Sequence, residues 1–375
     1  MKTATDKLIA ANNQFGFKLF SELLKQQPNQ NIFISPLSIS IALSMLYNGA
    51  VGQTQAEMAI ALGLQNMSVQ EVNQANAELI KQLESLADVQ VAIANSLWAE
   101  PNLRFRSEFL QRVQEFYQAE VQNLDFSRPD AAATINQWAS DQTHGKIQQI
   151  VQQLSPATIL ALLNAIYFKG NWSDRFDPTQ TQPGMFTLLD SSQKQVPMMR
   201  QFNEYCCYQG KDFHAVRIPF KDKRLSLDIF LPPSPAQVNS FYESLRSGSG
   251  SKWLDQFPPK SITQRLINLT MPSFQLEYET KSALKQALVS LGMKQAFDET
   301  ANFSQLCKDS AAISQITHKT FFEVNEAGAK AAAVTAIEME RGLPPTLIID
   351  RPFFCTIRDQ QTGAILFMGV IVDPA

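Results

Sequence analysis

Three histidines are the residues of this chain best suited to acid–base chemistry near neutral pH: His144, His214 and His318. His144 lies in a turn-like tetrapeptide, and His214 precedes a strand-like stretch. No serine or cysteine lies in a recognisable activating motif, and the sequence has no zinc-binding, phosphate-loop or dinucleotide-binding motif. We therefore predict that the protein is not an enzyme, with a hydrolase as a remote alternative.

The four cysteines are too few and too irregularly spaced for a disulfide scaffold or a zinc site. They are Cys206, Cys207, Cys307 and Cys355. We expect free thiols, no metal and no cofactor. The formal net charge of −3, without a basic cluster, argues against nucleic acid and membranes as partners. Residues 1–15 lack the apolar core and cleavage site of a signal peptide.

Residues 325–343, NEAGAKAAAVTAIEMERGL, are unusually rich in small side chains. The alanines favour a helix. With a period of two counted from Gly328, the same residues present two different faces. The uncharged face holds Ala329, Ala331, Ala333, Thr335, Ile337 and Met339. The other face carries every charge between Gly328 and Glu340, so the segment suits a solvated loop as well as a half-buried strand.

A cut near Arg341 would give this duality a direction. About a dozen residues could then join a neighbouring sheet, spanning roughly 40 Å. Some ten new ladder hydrogen bonds at about 1 kcal/mol each would approach the stability of a typical domain. The uncut protein would therefore be metastable.

Helices and strands are mixed along the chain, which predicts an α+β fold. Ser35 followed by Pro36 is typical of a helix N-cap and first helical position. Strand patterns occupy residues 89–93, 162–168, 353–358 and 364–372. Composition does not change sharply along the chain, so we predict a single domain, residues 1–375.

Several motifs in order along the chain resemble those of the serpin family. They are residues 31–38 (NIFISPLS), residues 164–172 (NAIYFKGNW), His318 eight residues before Glu326, and residues 351–354 (RPFF) with 366–369 (LFMG). The resemblance covers nearly the whole chain. It implies about nine helices around three β-sheets, with an exposed reactive-centre loop at about residues 326–345.

The resemblance also implies roles for individual residues. The hinge that enters the sheet first corresponds to Glu326, Ala327, Gly328, Ala329, Lys330, Ala331, Ala332 and Ala333. Ala329 replaces the usual Thr or Ser, and Lys330 replaces the usual Glu. Ala329 is small and uncharged, and Lys330 falls on the face that can remain in water, so both substitutions are compatible with insertion.

Two further groups follow from the resemblance. The shutter, a hydrogen-bonded cluster beneath the place where the strands part, corresponds to Ser35, Ser38, Asn164 and His318. Considered alone, His318 is more typical of a hydrogen-bonded core histidine than of a functional one. The breach, where the loop enters the sheet, corresponds to Trp172, Lys285 and Glu326.

The reactive bond depends on how the loop is counted. Counting back from Pro344 and Pro345 places it at Arg341–Gly342, whereas counting forward from Gly328 places Gly342 before the cut. We prefer Arg341, because arginine suits the acidic pocket of a trypsin-like protease. Cleavage after Met339 would indicate a chymotrypsin- or elastase-like target.

The resemblance implies an inhibitor that traps a trypsin-like serine protease as a covalent acyl-enzyme while the loop inserts. The alternative is a non-inhibitory serpin, a ligand carrier or chaperone, whose loop is cut without trapping a protease. We expect a monomer in the extracellular space, with the cytoplasm as the alternative location.

The alternation of the hinge generates a prediction. Ala329→Arg places a long charged side chain on the face that must turn inward, so insertion should slow and the inhibitor should become a substrate. Cleaved protein without covalent adduct on a denaturing gel is the expected result. Lys330→Arg, on the other face, is the matched control, and an unchanged adduct yield for Ala329→Arg would contradict the assignment.

Overall fold

The computed structural model of the chain describes residues 2–86, 88–258, 264–327 and 344–374. The α-helices in these ranges are α1 (Ala4–Gln26), α2 (Pro36–Tyr47), α3 (Gly52–Leu62), α4 (Val69–Glu84), α5 (Ser107–Tyr117), α6 (Ala131–Gln142), α7 (Val238–Arg246), α8 (Gly250–Gln256) and α9 (Ser282–Ser290). Within the same ranges, no helix is long and apolar enough to cross a bilayer.

The strands group by chain position. The first seven are β1 (Ile32–Ile34), β2 (Val89–Ala99), β3 (Glu120–Asn123), β4 (Leu160–Gly170), β5 (Gln182–Thr187), β6 (Gln193–Gln209) and β7 (His214–Pro219). The remaining seven are β8 (Leu225–Leu231), β9 (Gln264–Pro272), β10 (Phe274–Thr280), β11 (Gln315–Val324), β12 (Thr346–Ile348), β13 (Phe353–Asp359) and β14 (Ile365–Ile371). The predicted α+β class is confirmed, and each predicted strand pattern falls in an observed strand.

The five-stranded sheet has the order β10-β11-β4-β2-β3. Its central pair, β4 and β11, is parallel and joined directly by hydrogen bonds, in register from Gln315 opposite Ala161 to Phe322 opposite Phe168. The outer neighbours β2 and β10 run antiparallel to this pair. Because β11 is the last strand before the loop, its free end leads directly to the hinge.

The other strands form one nine-stranded sheet in the described ranges, instead of two further sheets. The 17-residue strand β6 explains this arrangement. Its first part pairs with β5, its middle with β9 and its last residues with β7, so one continuous strand belongs to two ladders. The strands expected for three sheets are thus joined through β6.

Helix α2 packs between the two sheets, against β4 and β14. The predicted cap is confirmed, because the Ser35 side chain accepts from the backbone N–H of Ser38 and Pro36 occupies the first turn. Every residue of α2 is buried. A Cβ at Gly369 would lie 2.6 Å from the carbonyl oxygen of Ile32, so the crossing of β1 over β14 leaves room only for glycine.

Candidate functional site

A row of polar side chains crosses the middle of the five-stranded sheet. Asn164 on β4 is in register with Asn95 on β2 and with His318 on β11. Ser35 and Ser38 approach the row from the first turn of α2. The structure therefore brings the four predicted shutter residues together and adds Asn95, an asparagine within an otherwise apolar strand.

The hydrogen bonds of the row determine the tautomer of His318. The backbone N–H of Ser35 donates to its Nε2 at 3.1 Å, so Nε2 is an acceptor. The proton must then be on Nδ1, which donates to Asn164 Oδ1 at 2.5 Å. Asn164 Nδ2 in turn donates to Ser38 Oγ and to Asn95 Oδ1, each at 2.6 Å.

The row is excluded from water. His318, Ser35 and Ser38 are completely buried, and Asn164 is nearly so. This desolvation lowers the pKa of His318 to about 3, because a charged imidazolium would be costly at this position. The row is therefore a neutral hydrogen-bonded chain that links β2, β4, β11 and the start of α2.

A second set of contacts lies at the upper end of the central pair. The indole Nε1 of Trp172, two residues beyond β4, donates to the carbonyl oxygen of Asn325 at 2.6 Å. The Trp172 backbone N–H donates to the carbonyl oxygen of Ala327 at 3.1 Å. Glu326 accepts from the hydroxyl of Thr181 at 2.6 Å. These bonds hold the chain that leaves β11 beside the end of β4.

The assignment of Lys285 to the breach is wrong in position. Lys285 lies on α9 and lines a cleft with Gln315 and Ile316, at the beginning of β11. Its ammonium group sits 5.3 Å from the ring centre of Phe297. Trp172 and Glu326 lie near the other end of β11, so the one-residue gap needed for that alignment placed the lysine at the wrong end of the sheet.

The remaining predicted residues fall outside the described ranges. They are Gly328, Ala329, Lys330, Ala331, Ala332, Ala333, Arg341 and Gly342. In the described part of the chain, no group of three or more His, Cys, Asp or Glu side chains is arranged to hold a metal. All four cysteines are free thiols, as predicted.

Comparison with known proteins gives consistent results. Residues 10–374 match the family model described as serpin, serine protease inhibitor. The chain is 35% identical to an uncharacterized serpin-like protein of Thermococcus kodakarensis, over 98% of this chain and 86% of that protein. It is 34% identical to the leukocyte elastase inhibitor of Bos taurus, over 98% of this chain and 100% of that protein. The crystal structure of human thyroxine-binding globulin superposes with a TM-score of 0.88 at 31% identity, covering 100% of both chains.

The low pKa of His318 generates a prediction about acid stability. Between the unperturbed value of 6.5 and about 3, the unfolded chain binds a proton at this histidine that the folded chain does not. The contribution to stability is therefore complete above pH 6.5 and lost as the pH falls. Between pH 7.5 and 5, the loss amounts to about 2 kcal/mol.

Urea unfolding at both pH values tests this prediction in His318→Gln, which cannot titrate. The variant should lose about 2 kcal/mol less than the wild type on going to pH 5. His144→Gln, at an exposed histidine, is the matched control and should behave as the wild type. Equal acid sensitivity in His318→Gln and the wild type would contradict a neutral, proton-excluding His318.

Proposed function

The chain belongs to the serpin family of serine protease inhibitors, and from that premise we propose that it traps a trypsin-like serine protease by inserting its loop between β4 and β11. The observation that carries the proposal is the direct parallel pairing of these two strands. A strand that turns back from the end of β11 runs antiparallel to β11, and therefore antiparallel to β4 as well. Inserted between them, it would convert the parallel pair into an antiparallel array.

The energetic direction follows from counting ladders. Insertion breaks one ladder, eight residue pairs long between Gln315 and Phe322, and creates two. The net gain is about one ladder, or roughly eight hydrogen bonds near 1 kcal/mol each. This is comparable to the stability of a whole domain. A cut loop is free to make this exchange, whereas an uncut loop is tethered at both ends.

The two faces of the sheet differ in the same way as the two faces of the loop. On the α2 side, Ile316, His318 and Phe322 are buried, which suits the uncharged residues of the loop. On the opposite side, Lys319 pairs with Glu277 at 2.5 Å, and Glu277 is half exposed. Charges are thus already accommodated where Lys330 and the two glutamates of the loop would lie.

The chemistry begins as ordinary proteolysis. The protease serine oxygen attacks the carbonyl carbon of Arg341, the bond to Gly342 breaks, and the new amine of Gly342 takes the proton. The protease is then joined to Arg341 by an ester. If the hinge inserts before water attacks the ester, the attached protease is carried along the sheet and its catalytic geometry is distorted, so deacylation fails.

The shutter and the upper contacts would set the timing. Insertion has to separate His318 from Asn164 and release the chain that Trp172 holds. Each of these is a buried hydrogen bond between neutral groups, worth about 1 kcal/mol. We infer that they keep the uncut sheet closed and yield once the cut loop competes for the same strands.

A second candidate is a ligand carrier whose loop does not trap proteases. Its support is the likeness to thyroxine-binding globulin, of which the human protein is 31% identical to this chain in the superposed structure. The two candidates differ in the fate of a cut loop, because both loops can be cleaved but only an inhibitor retains the protease.

Incubation with trypsin tests the proposal. We expect an adduct that survives SDS, with a mass equal to the protease plus the chain up to Arg341, and no adduct from Arg341→Ala. Met339→Ala is the matched control and should form the adduct normally with trypsin. Clean cleavage of the loop, with neither adduct nor gain in heat stability, would favour the carrier instead.

A further inference from the structure

Exposed hydrophobic side chains are concentrated at one place on the surface. Five large hydrophobic residues of the described ranges are more than a third exposed: Ile60, Leu110, Met185, Phe202 and Ile348. The last three, 47%, 42% and 43% exposed, line a single open cleft of about 750 Å³. Ile60 and Leu110 lie elsewhere, on α3 and α5.

The register of the nine-stranded sheet explains why these side chains share a face. Phe202 of β6 lies opposite Asn268 of β9, which lies opposite Thr346 of β12. Two residues along, Arg200, Thr270 and Ile348 form the next row. Side chains directly opposite one another, or two residues apart, point to the same side. Leu269, between the rows, points the other way and is buried.

This face is continuous with the end of the reactive-centre loop. The carbonyl oxygen of Pro345 accepts from the backbone N–H of Asn268, and β12 begins at the next residue. Five residues separate Arg341 from Thr346, so the two lie within about 17 Å even in a fully extended chain. A protein interface of typical size covers about 800 Å² on each partner, or a radius of about 16 Å. A protease that holds Arg341 therefore extends to the edge of this face.

The chemistry of the face defines the partner surface that it would fit. Solvated aromatic and aliphatic side chains on a rigid sheet gain by covering apolar atoms, without the entropy cost of ordering a loop. Arg200 adds a positive charge, whereas Asp350, the acidic residue of the cleft, already pairs with Arg351 at 2.5 Å. The complementary surface is apolar with a carboxylate at its rim.

We propose that the sheet face formed by Met185, Arg200, Phe202 and Ile348 is a second contact surface for the protease that attacks Arg341. This inference rests on the proposed inhibitory function and adds a determinant of specificity outside the loop. A protease that has an apolar patch with a carboxylate beside its active site would be captured faster than another protease of equal preference for arginine.

The test compares rates of adduct formation. The protease is the member of a panel of trypsin-like enzymes that the wild-type protein traps fastest, and the variants are Phe202→Ala and Phe202→Ala/Ile348→Ala. We expect the association rate constant to fall about tenfold in the double variant, as for loss of an interface hot spot. Ile60→Ala, a truncation of an equally exposed aliphatic side chain on α3, is the matched control and should leave the rate unchanged.

Two further measurements separate this surface from the loop itself. Cleavage of a synthetic peptide of residues 334–347 by the same protease should be independent of the variants' defect. Arg200→Glu should slow adduct formation at low ionic strength, and salt should reduce the difference from the wild type. Circular dichroism and heat stability verify that each variant is folded.

The outcomes are distinguishable. If the wild type forms no adduct with any protease, the proposed function itself fails. If adducts form and Phe202→Ala/Ile348→Ala reacts at the wild-type rate, only the second contact surface is overturned. A concentration-dependent dimer that disappears in the double variant, with unchanged rates, would show that a second copy of the chain occupies the face and would also overturn the proposal.

Discussion

The parallel pairing of β4 with β11 is the constraint on which the rest of the structure depends. A parallel pair at the centre of a sheet can accept one strand of opposite direction between its members, and the chain that follows β11 is positioned to supply it. The intact protein thus holds a sheet that its own loop could extend. Everything that stabilises the closed pair, from α2 below to Trp172 above, also determines how readily it opens.

The shutter is neutral, and this has a physical reason. A buried ion pair costs several kcal/mol to break, because each separated charge remains desolvated. Arg217 and Asp228 form such a pair at 2.8 Å in the nine-stranded sheet, where no strand needs to enter. At the seam, the neutral bond between His318 and Asn164 gives register and closure at a much smaller cost of opening.

The two sheets have different tasks in the proposed mechanism. The five-stranded sheet has to rearrange, so its polar centre is built from exchangeable hydrogen bonds. The nine-stranded sheet remains rigid and ends in β12, at the foot of the loop. Apolar side chains such as Phe202 can be exposed there without disturbing the folding core, because the buried face of the same strands, at Leu269, carries the packing.

The sequence by itself determined the local features, because each depends on neighbouring residues: the Ser35–Pro36 cap, the apolar strands, the alternating faces of the loop and the motifs that indicate the family. Tertiary structure decided what depends on strand register and chain direction. It placed Asn95 beside Asn164, moved Lys285 to the opposite end of β11, and joined two ladders through β6. Such cross-strand neighbours are far apart in the chain, so no local spacing of residues could have predicted them.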